Sequence, residues 1–291
     1  MKRLSQRKES ILERNLVWIF ASPRSGTSWL ANQLLSHDSY TMDEPCLGEH
    51  LCAPVIKPEG VKRTIDRQRN RSFRKQHYFF SEKYEAAWGP FLKKMILNRV
   101  YAQFPDISKR IIIKEPHGSL GADILSSCLP GSRIILLFRD GRDVVDSLVD
   151  GRSEGGWIVK KEDSPLTSQQ ERLKFIETCA KRWVAIMEIL QRVRTAHNKE
   201  RVTSVRYEIL RRNTGEILQR LYDFIGKDVG KETVRTLVER FSFERIPEED
   251  RGRGKSRRFA DPGKWREHFS TMEASVMQEI MGDTLKTLGY S

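Results

Sequence analysis

Leu16-Val17-Trp18-Ile19-Phe20-Ala21 runs directly into Ser22-Pro23-Arg24-Ser25-Gly26-Thr27-Ser28-Trp29. The first six residues are continuously apolar and rich in β-branched and aromatic side chains, the pattern of a strand buried on both faces of a parallel sheet. Pro23 and Gly26 end that strand in a tight turn, and a helical pattern follows from Ser28 to Ser36. A strand that breaks this way into a helix aims several backbone N–H groups and the positive end of the helix dipole at one point. Such a point binds an anion. Arg24 adds a fixed cation, and Thr27 and Ser28 add hydroxyls and N-cap chemistry. The common nucleotide pattern GxxxxGK[ST] is absent: Ala21 stands at its first Gly and Thr27 at its Lys, which disfavours an ATP or GTP hydrolase.

Working outward, Arg110–Lys114 and Arg133–Phe138 read as further buried strands and Val202–Tyr207 as a fourth. Helical patterns follow the first three, at Ser28–Ser36, Leu120–Cys128 and Val144–Val149, and this alternation predicts an α/β fold with a central parallel sheet flanked by helices. Gln169–Thr195 and Glu82–Phe104 read as long helices, the former with a core stripe of Leu173, Ile176, Trp183, Ile186 and Ile189. The reading is one domain over 1–291, with a variable acceptor-side excursion at about 47–105 and a basic, Gly-bearing loop at about 247–266.

A second motif, Phe138-Arg139-Asp140-Gly141-Arg142-Asp143-Val144-Val145-Asp146-Ser147, leaves the third strand. Ser147 lies about two helical turns beyond the strand end and can face an anion held beside Arg139. Asp140, Asp143 and Asp146 suit the positive end of that helix, and Arg142 with Asp146 has i,i+4 spacing. Tyr207-Glu208 follows the fourth strand, and Arg257-Arg258-Phe259-Ala260-Asp261-Pro262-Gly263-Lys264-Trp265-Arg266 lies near the C-terminus.

In this order the motifs resemble the sulfotransferase family that uses 3′-phosphoadenosine 5′-phosphosulfate (PAPS) and releases 3′,5′-diphosphoadenosine (PAP). The family element P-[KR]-S-G-T-[ST]-W matches from Pro23 to Trp29. It implies a P-loop-like fold in which Ser25, Gly26, Thr27 and Ser28 hold the 5′-phosphosulfate. Arg24 would contact the bridging oxygen and sulfuryl group, and Trp29 would lie against the adenine. Arg139 and Ser147 match the 3′-phosphate pair. Arg258, with Arg257 beside it, and Gly263, Trp265 and Arg266 match a C-terminal element from which Phe259 and Ala260 depart. Tyr207 matches a Tyr near the adenine and serves equally as a core tyrosine. The resemblance implies no metal.

Sulfuryl transfer needs an in-line nucleophile, charge stabilisation on the transferring oxygens and a base at the acceptor hydroxyl. Arg24 and Lys114 are the cations, Lys114 matching a Lys of cytosolic relatives. For the base, Glu44-Pro45 resembles the Glu-Pro of carbohydrate-modifying relatives and the Glu of tyrosine-modifying ones. His117 is the rival, displaced by one residue from the His of small-molecule relatives, with Glu115 third and Glu49 weaker. A carbohydrate or glycolipid acceptor is favoured over other small molecules. Two other readings are a divergent small-molecule kinase and a nucleic-acid module using Lys57–Lys75 with Phe73, Tyr78, Phe79 and Phe80. The latter lacks a stacking motif, so no nucleic-acid partner is expected.

The net charge of +13 calls for an anionic partner without choosing one. The basic excursion leaves a homodimer contact open. Cys46, Cys52, Cys128 and Cys179 have no metal-ligand spacing, and no apolar run reaches membrane length, so a cytoplasmic protein with reduced thiols is expected.

Overall fold

The computed structural model describes residues 4–35, 39–52, 80, 84–159, 164–256 and 261–290. Arg257 and Arg258, the segment Lys57–Lys75 and the aromatics Phe73, Tyr78 and Phe79 lie outside the described residues. Five parallel strands, β1 (Leu16–Ala21), β2 (Ser39–Asp43), β3 (Arg110–Lys114), β4 (Arg133–Phe138) and β5 (Val202–Arg206), form one sheet in the order β2-β3-β1-β4-β5. The α/β expectation holds, and four of the strands stand where their sequence placed them. β2 was not foreseen: Ser39-Tyr40-Thr41-Met42-Asp43 is a half-buried edge strand without a continuous apolar run.

Register explains the layering. Val17 pairs with Ile112 and Trp18 with Ile113 and Ile134, so alternate residues of adjacent strands face the same side. Trp18, Phe20, Ile113, Ile134 and Leu136 join one core, and Val17, Ile19, Ile112, Ile135 and Leu137 join the other. Over the first face lie α4 (Glu85–Gln103), α5 (Ala122–Cys128), α7 (Gln169–Ala196) and α12 (Thr271–Thr287); Trp183, Leu190, Met277 and Met281 fill the contact. The second face is covered by α2 (Thr27–Leu34), α8 (Tyr207–Arg212), α9 (Thr214–Ile225) and α10 (Lys231–Arg240) through Leu30, Leu218 and Tyr222. Trp18 is fully enclosed and stacked on Phe20, and its truncation to Ala would cost about 3–5 kcal/mol.

The remaining helices are α1 (Gln6–Asn15), α3 (Leu47–Cys52), α6 (Gly141–Gly151) and α11 (Trp265–His268). Because β1 sits between β3 and β4, the chain reverses its direction across the sheet at β1. A crevice opens at such a switch point, above the carboxyl ends of the strands. Ser22–Gly26, Glu44, Glu115–His117, Arg139 and Tyr207 all leave the sheet at that end.

Among the described residues no helix is long and apolar enough to cross a membrane, and Cys46, Cys128 and Cys179 are free thiols.

Candidate active site

The turn after β1 is built for close approach. Gly26 caps α2 in the left-handed region at φ 87°, with no side chain bonded to the cap. The sequence suggested Thr27 or Ser28 as capping hydroxyls; Gly26 takes the cap position instead, which leaves the first-turn N–H groups of α2 open toward an anion. A Cβ on Gly26 would stand 2.8 Å from the Tyr207 ring. Arg24 also has positive φ, 71°, a strained conformation costing roughly 1–2 kcal/mol. The Ser25 hydroxyl is buried and has no hydrogen-bond partner.

Arg139 leaves β4 beneath this turn. Its Nη1 donates to the Arg24 carbonyl at 2.7 Å, its guanidinium stacks on Tyr207 at 4.5 Å, and its buried Nε has no hydrogen-bond partner. Arg24 Nε donates to Ser147 Oγ at 3.0 Å, so two residues expected at opposite ends of the donor touch each other. Arg24 also donates to the Ser256 carbonyl and lies 4.8 Å over the Trp157 ring. Trp29 donates from Nε1 to the Phe241 carbonyl at 2.9 Å and meets Tyr207 edge-on.

On the other side of α2 the acid–base groups gather. Buried Lys114 extends from the end of β3 and donates to Ser28 Oγ at 2.7 Å. It also pairs with Asp43 at 2.6 Å and with Glu44 at 2.9 Å. The second oxygen of Glu44 is 3.6 Å from His117 Nε2. The two rival bases are therefore neighbours. Burial lowers the His117 pKa, against the opposing pull of Glu44, and Arg182 and Lys114 add to the lowering, so the ring is neutral near pH 7. Glu115, the third candidate, is wholly buried. Its carboxylate accepts from the backbone N–H groups of Cys46 and Gly48, both at 3.0 Å.

A cleft of about 770 Å³ joins these groups, with Arg24, Ser28, Trp29, Glu44, His117 and Ser147 along its wall. Among the described residues no cluster of ligating side chains is arranged for a metal ion. Residues 17–230 match the model of the sulfotransferase family. The chain belongs to the sulfotransferase family. A mouse sulfotransferase complexed with PAP has the same fold, at a TM-score of 0.59 and 14% identity over 97% of this chain and 90% of that one. Retinol dehydratase in complex with androsterone and inactive cofactor PAP follows at 0.55 and 17%, over 94% and 81%. No curated protein matches the chain in sequence.

One part of this sulfotransferase escaped the sequence reading. By sequence Asp140, Asp143 and Asp146 read as helix-dipole partners and Arg142 as the partner of Asp146, while the set Asp143, Asp146 and Asp150 carries no recognised motif. Arg142 forks onto the N-cap residue Asp140, with Nη2 at 2.8 Å. The three aspartates line one side of α6 and hold the C-terminal loop. Asp143 accepts from the N–H groups of Gly263 at 2.8 Å and Trp265 at 3.3 Å. Asp146 meets His268 at 3.0 Å and Asp150 accepts from Gly254 at 2.7 Å. Acidic residues at helical spacing upstream of a basic loop were the available signal. Asp43 and Trp157 were also missed; neither belongs to a recognisable motif.

Proposed function

We propose that this enzyme transfers the sulfuryl group of PAPS to a hydroxyl of a carbohydrate or glycolipid, with Glu44 as general base. The observation that carries the reading is the chain of contacts His117–Glu44–Lys114–Ser28, which ends in the first turn of α2 beside its open N–H groups. The unpartnered Ser25 hydroxyl and Arg139 Nε fit a multiply anionic nucleotide, since buried polar atoms normally have partners. The two PAP-bound relatives of the same fold support that choice of nucleotide.

In this reading the turn residues Ser25, Gly26, Thr27 and Ser28 receive the 5′ end through backbone N–H groups and hydroxyls. Arg139 and Ser147 receive the 3′-phosphate, with Arg257 and Arg258 assigned there by motif. Tyr207 and Trp29 flank the base. PAPS, when bound, supplies an activated sulfuryl group and a good leaving group. Lys114 and Arg24 neutralise charge on the transferring oxygens and on the leaving phosphate. Glu44 takes the acceptor proton at a carboxylate oxygen, and neutral His117 orients that carboxylate from 3.6 Å. The Glu44-Pro45 feature, which resembles that of carbohydrate-modifying relatives, favours a sugar hydroxyl over a phenol.

Calorimetric titration with PAP and with ATP, with and without magnesium, tests the donor; tighter binding of ATP than of PAP sinks the reading. Incubation with labelled PAPS and a panel of sugars, glycolipids, phenols, steroids and peptides tests the acceptor. Label on a phenol or steroid in preference to every sugar overturns the acceptor class alone.

A further inference from the structure

Between the two loops that carry Glu44 and His117 lies a third carboxylate, that of Glu115, wholly buried and bonded to backbone N–H groups. Glu115 is fixed to the sheet through its own N–H, which donates to the Ile19 carbonyl at 3.0 Å, and through its carbonyl, which accepts from Ser119 Oγ at 3.0 Å. Its side chain reaches the opposite loop. There one oxygen accepts from Cys46 N–H and the other from Gly48 N–H. No space separates the loops: a Cβ on Gly118 would stand 1.8 Å from the Glu115 oxygen, and one on Gly48 would stand 1.9 Å from the Gly118 carbonyl.

The segment gripped in this way is strained. Glu44 has φ 46° and Cys46 φ 52°, both in the left-handed region that non-glycine residues avoid at roughly 1–2 kcal/mol each. Glu44 also precedes Pro45, a position biased toward extended backbone. Strain of this kind persists only where the surroundings over-determine it. Among the described residues these surroundings include the Glu115 carboxylate, the bond from Glu44 N–H to the Lys114 carbonyl at 2.8 Å, the Lys114–Glu44 ion pair at 2.9 Å and the Cys46 thiol donating to the Glu44 carbonyl at 3.3 Å.

We propose that Glu115 is the positioning residue of the acceptor side: through the Cys46 and Gly48 N–H groups its carboxylate holds the Glu44–Cys46 turn so that Glu44 sits between Lys114 and His117. This rests on the reading of Glu44 as base. Glutamine at 115 keeps the shape but turns one acceptor into a donor facing a backbone N–H, so the turn loses one of the bonds that Glu115 makes to it. A shift of about 1 Å in a catalytic group costs on the order of 100-fold in rate.

The test measures kcat, acceptor KM, PAP affinity and melting for Glu115→Gln. A loss of about 100-fold in kcat is expected, with acceptor KM and PAP affinity within a few-fold of wild type. Adding Cys46→Gly, which removes the cost of the left-handed backbone, is expected to recover about tenfold. Unchanged kcat, no recovery by Cys46→Gly, or loss of PAP binding in parallel with kcat overturns the proposal. Should Glu115→Gln not fold, Glu115→Asp is read by the same criteria, since its shorter side chain keeps the charge and misses the N–H groups. Glu44→Gln separates the two ideas. An active Glu44→Gln beside a slow Glu115→Gln breaks the base assignment, whereas an inactive Glu44→Gln beside an active Glu115→Gln breaks the positioning role.

Discussion

The exits of β1, β4 and β5 and the exits of β2 and β3 build the two halves of the same cleft by different means. On the first side each strand end carries its own short motif, and the contacts between motifs are few and direct: Arg139 on the Arg24 carbonyl, Arg24 on Ser147, Tyr207 against Gly26. On the second side no motif is self-sufficient. Glu44 is strained and is placed by its ion pair to Lys114 and by a carboxylate from another loop, and His117, burdened by burial, lies against Glu44. Donor chemistry is constant and can be met by fixed local grammar. The acceptor side depends on long-range contacts, and changes there are expected to alter turnover while sparing the nucleotide.

The largest expected effect is on the first side. Arg24→Ala removes a cation from the transferring group and the contact that ties the turn to Ser147, and the expected loss of transfer is about 10³-fold. Steady-state kinetics with labelled donor measures it; activity within tenfold of wild type breaks the donor-side assignment. On the second side Glu44→Gln is expected to lower kcat by about 10²-fold and leave PAP affinity unchanged. Calorimetry with PAP alongside kcat decides whether the two halves separate. His117→Ala is expected to cost less than Glu44→Gln, and the reverse order moves the base to His117.

A smaller effect sharpens the donor side. Ser147→Ala removes one neutral hydroxyl donor, and PAP affinity is expected to fall about tenfold. The comparison nucleotide is adenosine 5′-phosphate, whose affinity is expected to change less. An equal loss for both nucleotides places Ser147 away from the 3′-phosphate.

The two halves also differ in how far they could be read from residues alone. Leu16–Ala21, Arg110–Lys114 and Arg133–Phe138 declared themselves because a parallel strand covered on both faces is apolar throughout. β2 did not, because an edge strand half open to solvent keeps Ser39, Thr41 and Asp43. The anion turn was legible from spacing, since Gly26 and the helix that follows it are local features. The clamp of Asp143, Asp146 and Asp150 on the C-terminal loop was not, because each bond spans roughly a hundred residues of chain. Nor was the role of Glu115: a buried carboxylate facing backbone N–H groups has no signature in composition or periodicity, and beside Lys114 and His117 it reads as one more candidate base.

The smallest expected effect concerns stability and singles out that carboxylate. Burial is the main cause that pushes the Glu115 pKa from 4.5 up to about 7; the N–H groups of Gly48, Cys46 and Leu47 oppose it, and the nearby charge of Glu49 adds to it. Between pH 4.5 and 7 the folded protein therefore holds a proton at Glu115 that the unfolded chain has released. Stability linked to this group is fully present below pH 4.5 and is lost as pH rises through 7. His117 works in the opposite sense, since its lowered pKa makes the unfolded chain the better proton acceptor and raises stability as pH rises. Both act in the wild type, so a single melting curve mixes them. The difference between wild type and Glu115→Gln isolates the carboxylate, because His117 is common to both. From pH 5 to 7.5 the wild-type Tm is expected to fall by about 2–4 °C relative to the variant, whatever the absolute offset between them. Parallel Tm profiles would mean that Glu115 is ionised throughout this range, and the three backbone N–H groups would then outweigh its burial.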